Sequence, residues 1–324
     1  MKYLLALMFL LAVVALAAYA PAQTTRPIPQ VDHVLIISID GLRPDVLLRA
    51  DAPHIHQLCH EGTFTFWARS TPASITLPTH VSMLTGVTPE KHAILWNGDL
   101  PLSEPVYPTA PTIFELAKKA GRTTAMVAGK SKFSVLDKPG TLDFKYIPNE
   151  KKSDDADVTS NALRILHEHR PELMFVHLPG VDKVGHAKGW GTPEQLAAVA
   201  YADQCVGQII DQLRELDLNR RTLLIVTADH GGAGRTHGAE DPRSRTIPWI
   251  AVGPGVRKDF DLTLLAELNV EVYDTFATAC TVLAIPIPGH IDGKFIEAML
   301  EDRELLRPDT PPSMQPTTRI AVAP

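Results

Sequence analysis

Strand-like and helix-like segments alternate along most of this 324-residue chain, and that alternation predicts an α/β fold. The expected architecture is a three-layer αβα sandwich around a central, mostly parallel sheet. Three observations support it. Five short runs rich in Val, Ile and Leu lack polar alternation, as expected of strands buried on both faces. Amphipathic segments of helical period separate them. Three aspartates, Asp40, Asp182 and Asp229, fall at or just past the ends of such runs, where open α/β sheets bind ligands.

The elements follow in order. Residues 1–22 (MKYLLALMFLLAVVALAAYAPA) combine an early lysine, a long apolar run and a small-x-small end at Ala20-Pro21-Ala22. This reads as a secretory signal peptide with the mature chain starting at Gln23, and so as an exported, periplasmic or extracellular protein. An uncleaved apolar anchor is the other reading. Residues 23–31 are a Pro/Gln/Thr linker, and 32–300 form one catalytic domain. The expected strands are 33–40, 122–129, 172–179, 221–229 and 247–253. The expected helices are 111–121, 155–169, 192–218 and 272–285, with a further one opening at THVSMLTG. Residues 301–324 are a proline-rich tail.

Composition narrows the classes. The chain is 45% hydrophobic and 21% charged, as globular domains are. Its net charge of −6 and the lack of any Lys/Arg run exclude an extended nucleic-acid partner. Beyond the N-terminal run, no stretch is apolar for long enough to span a bilayer, so no stable membrane insertion is expected after cleavage. Cys59, Cys205 and Cys280 allow at most one intrachain disulfide, and their apolar surroundings suit buried thiols.

The chemistry lies in four short segments. ISIDG holds Asp40, whose following Gly41 permits a sharp turn off a strand. SITLPTH holds Thr76 at an expected helix start, where backbone N–H groups favour an anion. A simple N-cap is an equal reading for Thr76 alone, and Ser74 is the rival nucleophile. GVDKVGH holds Asp182 and His186, which meet at one metal if a loop turns at Gly185. TADHGG holds Asp229 and His230, and THG brings His237 seven residues later. Aspartate and histidine are natural ligands of a borderline divalent metal. Six such ligands suffice for two metals, with the Thr76 hydroxyl left as a nucleophile. That combination reads as phosphoryl or sulfuryl transfer.

The segments IDG, TLPTHVSMLTGVTPEKHAI, DKVGH, ADHGG and HG before IPWIAVGPG resemble, in order and spacing, the type I phosphodiesterase and nucleotide pyrophosphatase branch of the alkaline phosphatase superfamily. The resemblance spans roughly residues 34–293 and implies an alkaline phosphatase-like fold and a hydrolase of phosphoric esters or anhydrides. It implies two divalent metals, zinc the expected one. Asp40, Thr76, Asp229 and His230 would hold the first, and Asp182, His186 and His237 the second. His290 is a rival for the third histidine. The resemblance further implies a phospho-threonine on Thr76. Thr79 stands where the branch often carries an asparagine that contacts a phosphoryl oxygen. Lys130 and Lys132 resemble a substrate-carboxylate clamp of related phosphonate hydrolases, with two solvated loop lysines as the plain alternative. The expected substrate is a small anionic phosphoester or phosphonate. Phosphonate or phosphomonoester hydrolysis and a catalytically silent metal-binding fold are the alternatives. The C/S-x-P-x-R run of sulfatases is missing, as are G-x-x-x-x-G-K-[ST] and G-x-G-x-x-G.

Overall fold

The computed structural model describes residues 26–98, 105–149, 153–239 and 241–301. The expected signal peptide, the first part of the expected linker and nearly all of the proline-rich tail lie outside the described residues. Ile28 and Val31, assigned to the linker by sequence, are instead buried in the core, Ile28 against Gly255.

The described residues form an eight-stranded sheet in the order β4-β3-β5-β1-β6-β7-β2-β8. The strands are β1 His33–Ile39, β2 Thr63–Arg69, β3 Thr124–Ala128, β4 Phe144–Tyr146, β5 Leu173–Leu178, β6 Thr222–Thr227, β7 Thr246–Val252 and β8 Phe260–Asp261. β1 lies at the centre, parallel to both β5 and β6. β3 runs parallel to β4 and β5, and β8 parallel to β2. Only β7 among the described strands runs against its neighbours, antiparallel to β6 and β2. The sheet is therefore mixed and mostly parallel. β3, β5 and β6 are buried at every residue, and β1 at all but His33, which explains their largely apolar sequence.

Helices flank the sheet. They are α1 Pro44–Arg49, α2 Pro53–Glu61, α3 Thr76–Thr85, α4 Pro89–His92, α5 Ile113–Lys119, α6 Asp155–His169, α7 Gly180–Lys188, α8 Pro193–Glu215, α9 Pro242–Arg245 and α10 Asp274–Val282. α8 packs against α2, α6 and α7, whereas α10 packs against α3 and α5. α5 begins with a capping box in which Thr112 and Glu115 satisfy each other's backbone N–H groups. Asp154 and Thr192 cap α6 and α8 by the same kind of side-chain acceptor. The three cysteines are free and buried, and burial pushes the Cys59 thiol up to about 12.

Three strands escape the sequence reading. β2 (TFTFWAR) is half exposed and broken by a register shift between Thr65 and Ala68, so its apolar signal is interrupted. β4 and β8 are too short to announce themselves.

Candidate active site and metal centre

The carboxyl ends of β1, β5 and β6 and the start of α3 meet at one place. Asp40 follows β1 directly, and Asp229 and His230 follow β6. Gly41 turns the chain off β1 at φ 74°, a conformation that suits glycine. A β-carbon there would also sit 3.0 Å from the Cα of Asp182. Thr76 is the first residue of α3. Its hydroxyl oxygen lies 3.3 Å from His230 Nε2.

Asp182 and His186 occupy α7 and not the loop expected from sequence. Residues four apart share one helix face, so the helix brings the pair together without a turn at Gly185. Gly185 serves a different purpose, since a β-carbon there would lie 2.8 Å from the Trp190 ring.

The six ligand-type side chains fall into two groups, Asp40 with Asp229 and His230, and Asp182 with His186 and His237. Within each group the ligand atoms lie within 4.8 Å of one another. The groups are neighbours: the His230 and His237 rings stack at 3.7 Å.

Each carboxylate divides its two oxygens. Asp40 Oδ2 accepts from His177 Nε2 at 2.9 Å and from Lys130 Nζ at 2.5 Å. Asp182 Oδ2 accepts from the same Lys130 Nζ at 2.7 Å. Asp229 Oδ1 accepts from the Gly41 N–H at 3.1 Å. The other oxygens, Asp40 Oδ1, Asp182 Oδ1 and Asp229 Oδ2, are buried without a hydrogen-bond partner. Orphaned buried carboxylate oxygens are costly, and a cation removes that cost. His230 Nε2 lies 3.4 Å from Asp40 Oδ1 and 3.2 Å from Asp229 Oδ2. His186 Nε2 lies 3.3 Å and His237 Nε2 3.7 Å from Asp182 Oδ1.

The imidazoles are oriented as metal ligands need. His186 Nδ1 donates to Arg235 O at 2.9 Å, His230 Nδ1 to Gly231 O at 2.8 Å and His237 Nδ1 to Ser74 O at 2.8 Å. A donor at Nδ1 leaves the Nε2 lone pair free to face the site. The residues therefore fit two divalent cations.

The electrostatics agree. Burial raises Asp40, but the charge of Lys130 and the His177 hydrogen bond outweigh it and hold the carboxyl well below its usual range. At Asp229 the charge of Lys130 is outweighed. Burial and the charge of Asp40 push this carboxyl well above the usual range. Burial holds His230 at about 4 and also lowers His237, so both stay neutral. His186 is raised, chiefly by the Asp182 carboxylate beside it.

Supporting residues went unnoticed in the sequence. His177 interrupts the apolar run of β5, accepts from the Gly129 N–H at 3.2 Å and points its other nitrogen at Asp40. His80, one turn after Thr76, donates to Thr76 O at 2.8 Å and accepts from the Ser38 hydroxyl at 2.8 Å. Trp190 donates to Gly41 O at 2.9 Å, and its ring meets His186 and His237 edge-on. Asn97 Oδ1 accepts from the Leu77 N–H at 2.9 Å, beside Thr76. No short motif marks His177, Trp190 or Asn97, and His80 lies inside the TLPTHVSMLTG segment with no local pattern to reveal its partners.

The remaining expectations fare differently. Thr79 is fully buried and its hydroxyl bonds that of Thr71 at 2.7 Å, so it is committed to the scaffold beneath the site. The Ser74 hydroxyl donates to Thr71 O, while its carbonyl anchors His237. His290 lines a separate cavity with Lys91 and Pro288. Lys130 and Lys132 are not solvated loop lysines. Lys130 is locked on Asp40 and Asp182, and Lys132 Nζ donates to Asn97 Oδ1 at 2.8 Å. Burial and the charge of Lys130 bring Lys132 down to about 8.

Comparison with known proteins agrees with this geometry. The family model for type I phosphodiesterases/nucleotide pyrophosphatases matches residues 34–239, which include all six ligand-type residues and Thr76. An uncharacterized pyrophosphatase/phosphodiesterase of Schizosaccharomyces pombe is 26% identical over 216 residues, 62% of this chain and 44% of that protein. The catalytic subunit of human GPI ethanolamine phosphate transferase 2 is 24% identical over 296 residues, 87% of this chain and 29% of that protein. This chain thus spans less than half the length of either relative. Among solved structures, an inactive murine ectonucleotide pyrophosphatase/phosphodiesterase 5 in complex with AMP superposes with a TM-score of 0.68 at 16% identity, covering 83% of this chain and all of that one. With residues 34–239 inside the family model and its site residues past the carboxyl ends of the central strands, this chain belongs to the type I phosphodiesterase/nucleotide pyrophosphatase family, within the alkaline phosphatase superfamily.

Proposed function

We propose that this chain hydrolyses small anionic phosphodiesters, nucleotide esters and anhydrides among them, through a nucleophilic Thr76 and two divalent cations. The family is metal-dependent. One observation carries the reading: three buried carboxylates each keep one oxygen bonded and turn one orphaned oxygen toward an oriented imidazole. Asp40, Asp229 and His230, with the Thr76 hydroxyl, would hold one cation, and Asp182, His186 and His237 the other. Zinc suits this mixed oxygen and nitrogen donor set. When bound, such a pair lowers the pKa of a hydroxyl or water and stabilises charge on phosphoryl oxygens.

The Thr76 oxygen would attack phosphorus in line as its proton passes to solvent. The bond to the leaving alcohol breaks, and that alcohol takes up a proton. Water then attacks the phosphothreonine, releasing the phosphate product and restoring the Thr76 hydroxyl. Two in-line displacements leave the configuration at phosphorus retained. His80 holds the first turn of α3 by bonding the Thr76 carbonyl, so the nucleophile sits on a rigid element. Lys132 and Asn97 lie beside that helix start and form the anion-facing side of the site. AMP in the murine relative supports a nucleotide phosphate as one substrate class. The apolar N-terminal run supports export to the periplasm or cell exterior.

The test is turnover of bis(p-nitrophenyl) phosphate against the p-nitrophenyl monoester by zinc-loaded wild type and Thr76→Ala. A strong diester preference, lost in Thr76→Ala, is expected. A monoester preference would move the chain to phosphomonoester or phosphonate hydrolysis. Turnover of neither, with two metals bound, would leave the silent-fold reading in place.

A further inference from the structure

Lys130 is a buried cation with an unusual set of partners. Its Nζ touches Asp40 Oδ2 and Asp182 Oδ2, one carboxylate from each ligand group. It follows β3, the next strand but one from β1, so the sheet itself delivers it between the groups. Resting on the two-metal reading above, we infer that Lys130 is a positioning residue: it restricts Asp40 and Asp182 to one ligating oxygen each and fixes the spacing of the two sites. It does not clamp the substrate.

The argument is one of valence. A carboxylate offers two oxygens and binds a metal through one or both. At Asp40 the second oxygen is held twice, by His177 and by Lys130. At Asp182 the second oxygen is held by Lys130 among the described residues. The oxygens left over are the orphaned ones that face the histidines. Removing the Lys130 ammonium therefore acts unequally. Asp40 keeps His177 and stays a one-oxygen ligand. Asp182 is released and becomes free to chelate with both oxygens, so the coordination number of the second metal rises. Lys132 is the contrasting case two residues on. It donates to Asn97 beside the start of α3 and, among the described residues, bonds none of the six ligand-type side chains. A substrate anion can reach Lys132 without displacing a carboxylate, whereas at Lys130 it would have to displace two.

The experiment compares cobalt(II)-substituted wild type, Lys130→Met and Lys130→Arg, loaded to saturation with no substrate present. Cobalt ligand-field bands weaken as coordination number rises. The expected result is two cobalt ions per chain in all three proteins, with weakened visible bands in Lys130→Met and bands closer to wild type in Lys130→Arg. kcat of Lys130→Met should fall about 10- to 100-fold, the range usual for residues supporting metal ligands, with KM little changed. A spectrum identical to wild type, with a raised KM for the anionic substrate, would overturn the inference and restore Lys130 as a substrate clamp. Failure of wild type to bind two cobalt ions would instead sink the metal-centre reading. Should Lys130→Met not accumulate as folded protein, a crystal structure of the zinc-loaded wild type decides. Nζ within hydrogen-bond distance of both Oδ2 atoms supports the inference, and Nζ withdrawn with Asp182 chelating through two oxygens overturns it.

Discussion

Asp40, Asp229 and His230 lie fully enclosed at the ends of two central strands, whereas the Asp182, His186 and His237 group sits on one helix and one glycine-rich loop. The His186 side chain is 43% exposed. The inner group is fixed by the sheet: Gly41 N–H, His177 and Lys130 all bind its carboxylates. The outer group leans on loop carbonyls, Arg235 for His186 and Ser74 for His237, and on the Trp190 ring. An α/β sheet thus supplies a rigid half-site beside the nucleophile and leaves the second half to a softer periphery. The inner site should behave as permanent structure and the outer one as an exchangeable position.

The largest effect should come at Thr76, the residue that belongs to the inner half alone. Thr76→Ala should lower turnover by at least about 10³-fold, as loss of a nucleophile does. It should retain two metals by elemental analysis. Full activity in that variant would contradict the nucleophile assignment.

Next come the metals themselves. Titration with a chelator should remove the outer ion first, with the two dissociation constants separated by about tenfold or more. Asp182→Asn should weaken that ion alone. Simultaneous loss of both ions in either experiment would erase the distinction between rigid and exchangeable sites.

A smaller effect concerns the support of the outer helix. Asp155 Oδ1 accepts from the Gly180 N–H at 2.8 Å and so ties down the start of α7. Burial raises this carboxyl from 3.8 to about 6. A folded pKa above the unfolded one means the native state holds the proton more tightly. Its contribution is therefore most favourable below about pH 4 and is lost as pH rises toward about 6. Asp155→Asn keeps an acceptor for Gly180 and removes the titration. Its stability relative to wild type should rise by about 2 kcal/mol between pH 4 and pH 8. Thermal melts of both proteins at the two pH values measure this, and a difference independent of pH would contradict it.

The smallest effect is expected at Thr79. Thr79→Val should leave kcat within about twofold and cost about 1 kcal/mol of stability through the orphaned Thr71 hydroxyl. A large fall in kcat would return Thr79 to the phosphoryl group.

The same contrast between sheet and periphery governs what could be read from the sequence. Asp40, Asp229 and His230 were legible because β1 and β6 are near-continuous apolar runs whose ends are easily found. Asp182 and His186 were legible as a pair, but their helix was not, since two glycines and two lysines in GVDKVGHAK blur its period. His177 was hidden because a histidine inside LMFVHL reads as a core substitution, and only the sheet order brings it to Asp40, 137 residues away. Lys130 was visible as a lysine but its partners, 90 and 52 residues distant, were not. Local pattern locates ligands at strand ends. Their supports come from neighbouring strands, and that information resides in topology.

The most direct test of the two-site account is an anomalous diffraction map at the zinc edge from crystals of the zinc-loaded wild type. Two peaks are expected. One should fall among Asp40 Oδ1, Asp229 Oδ2, His230 Nε2 and the Thr76 hydroxyl, and the other among Asp182 Oδ1, His186 Nε2 and His237 Nε2. A single peak, or a second peak away from Asp182, would contradict the account.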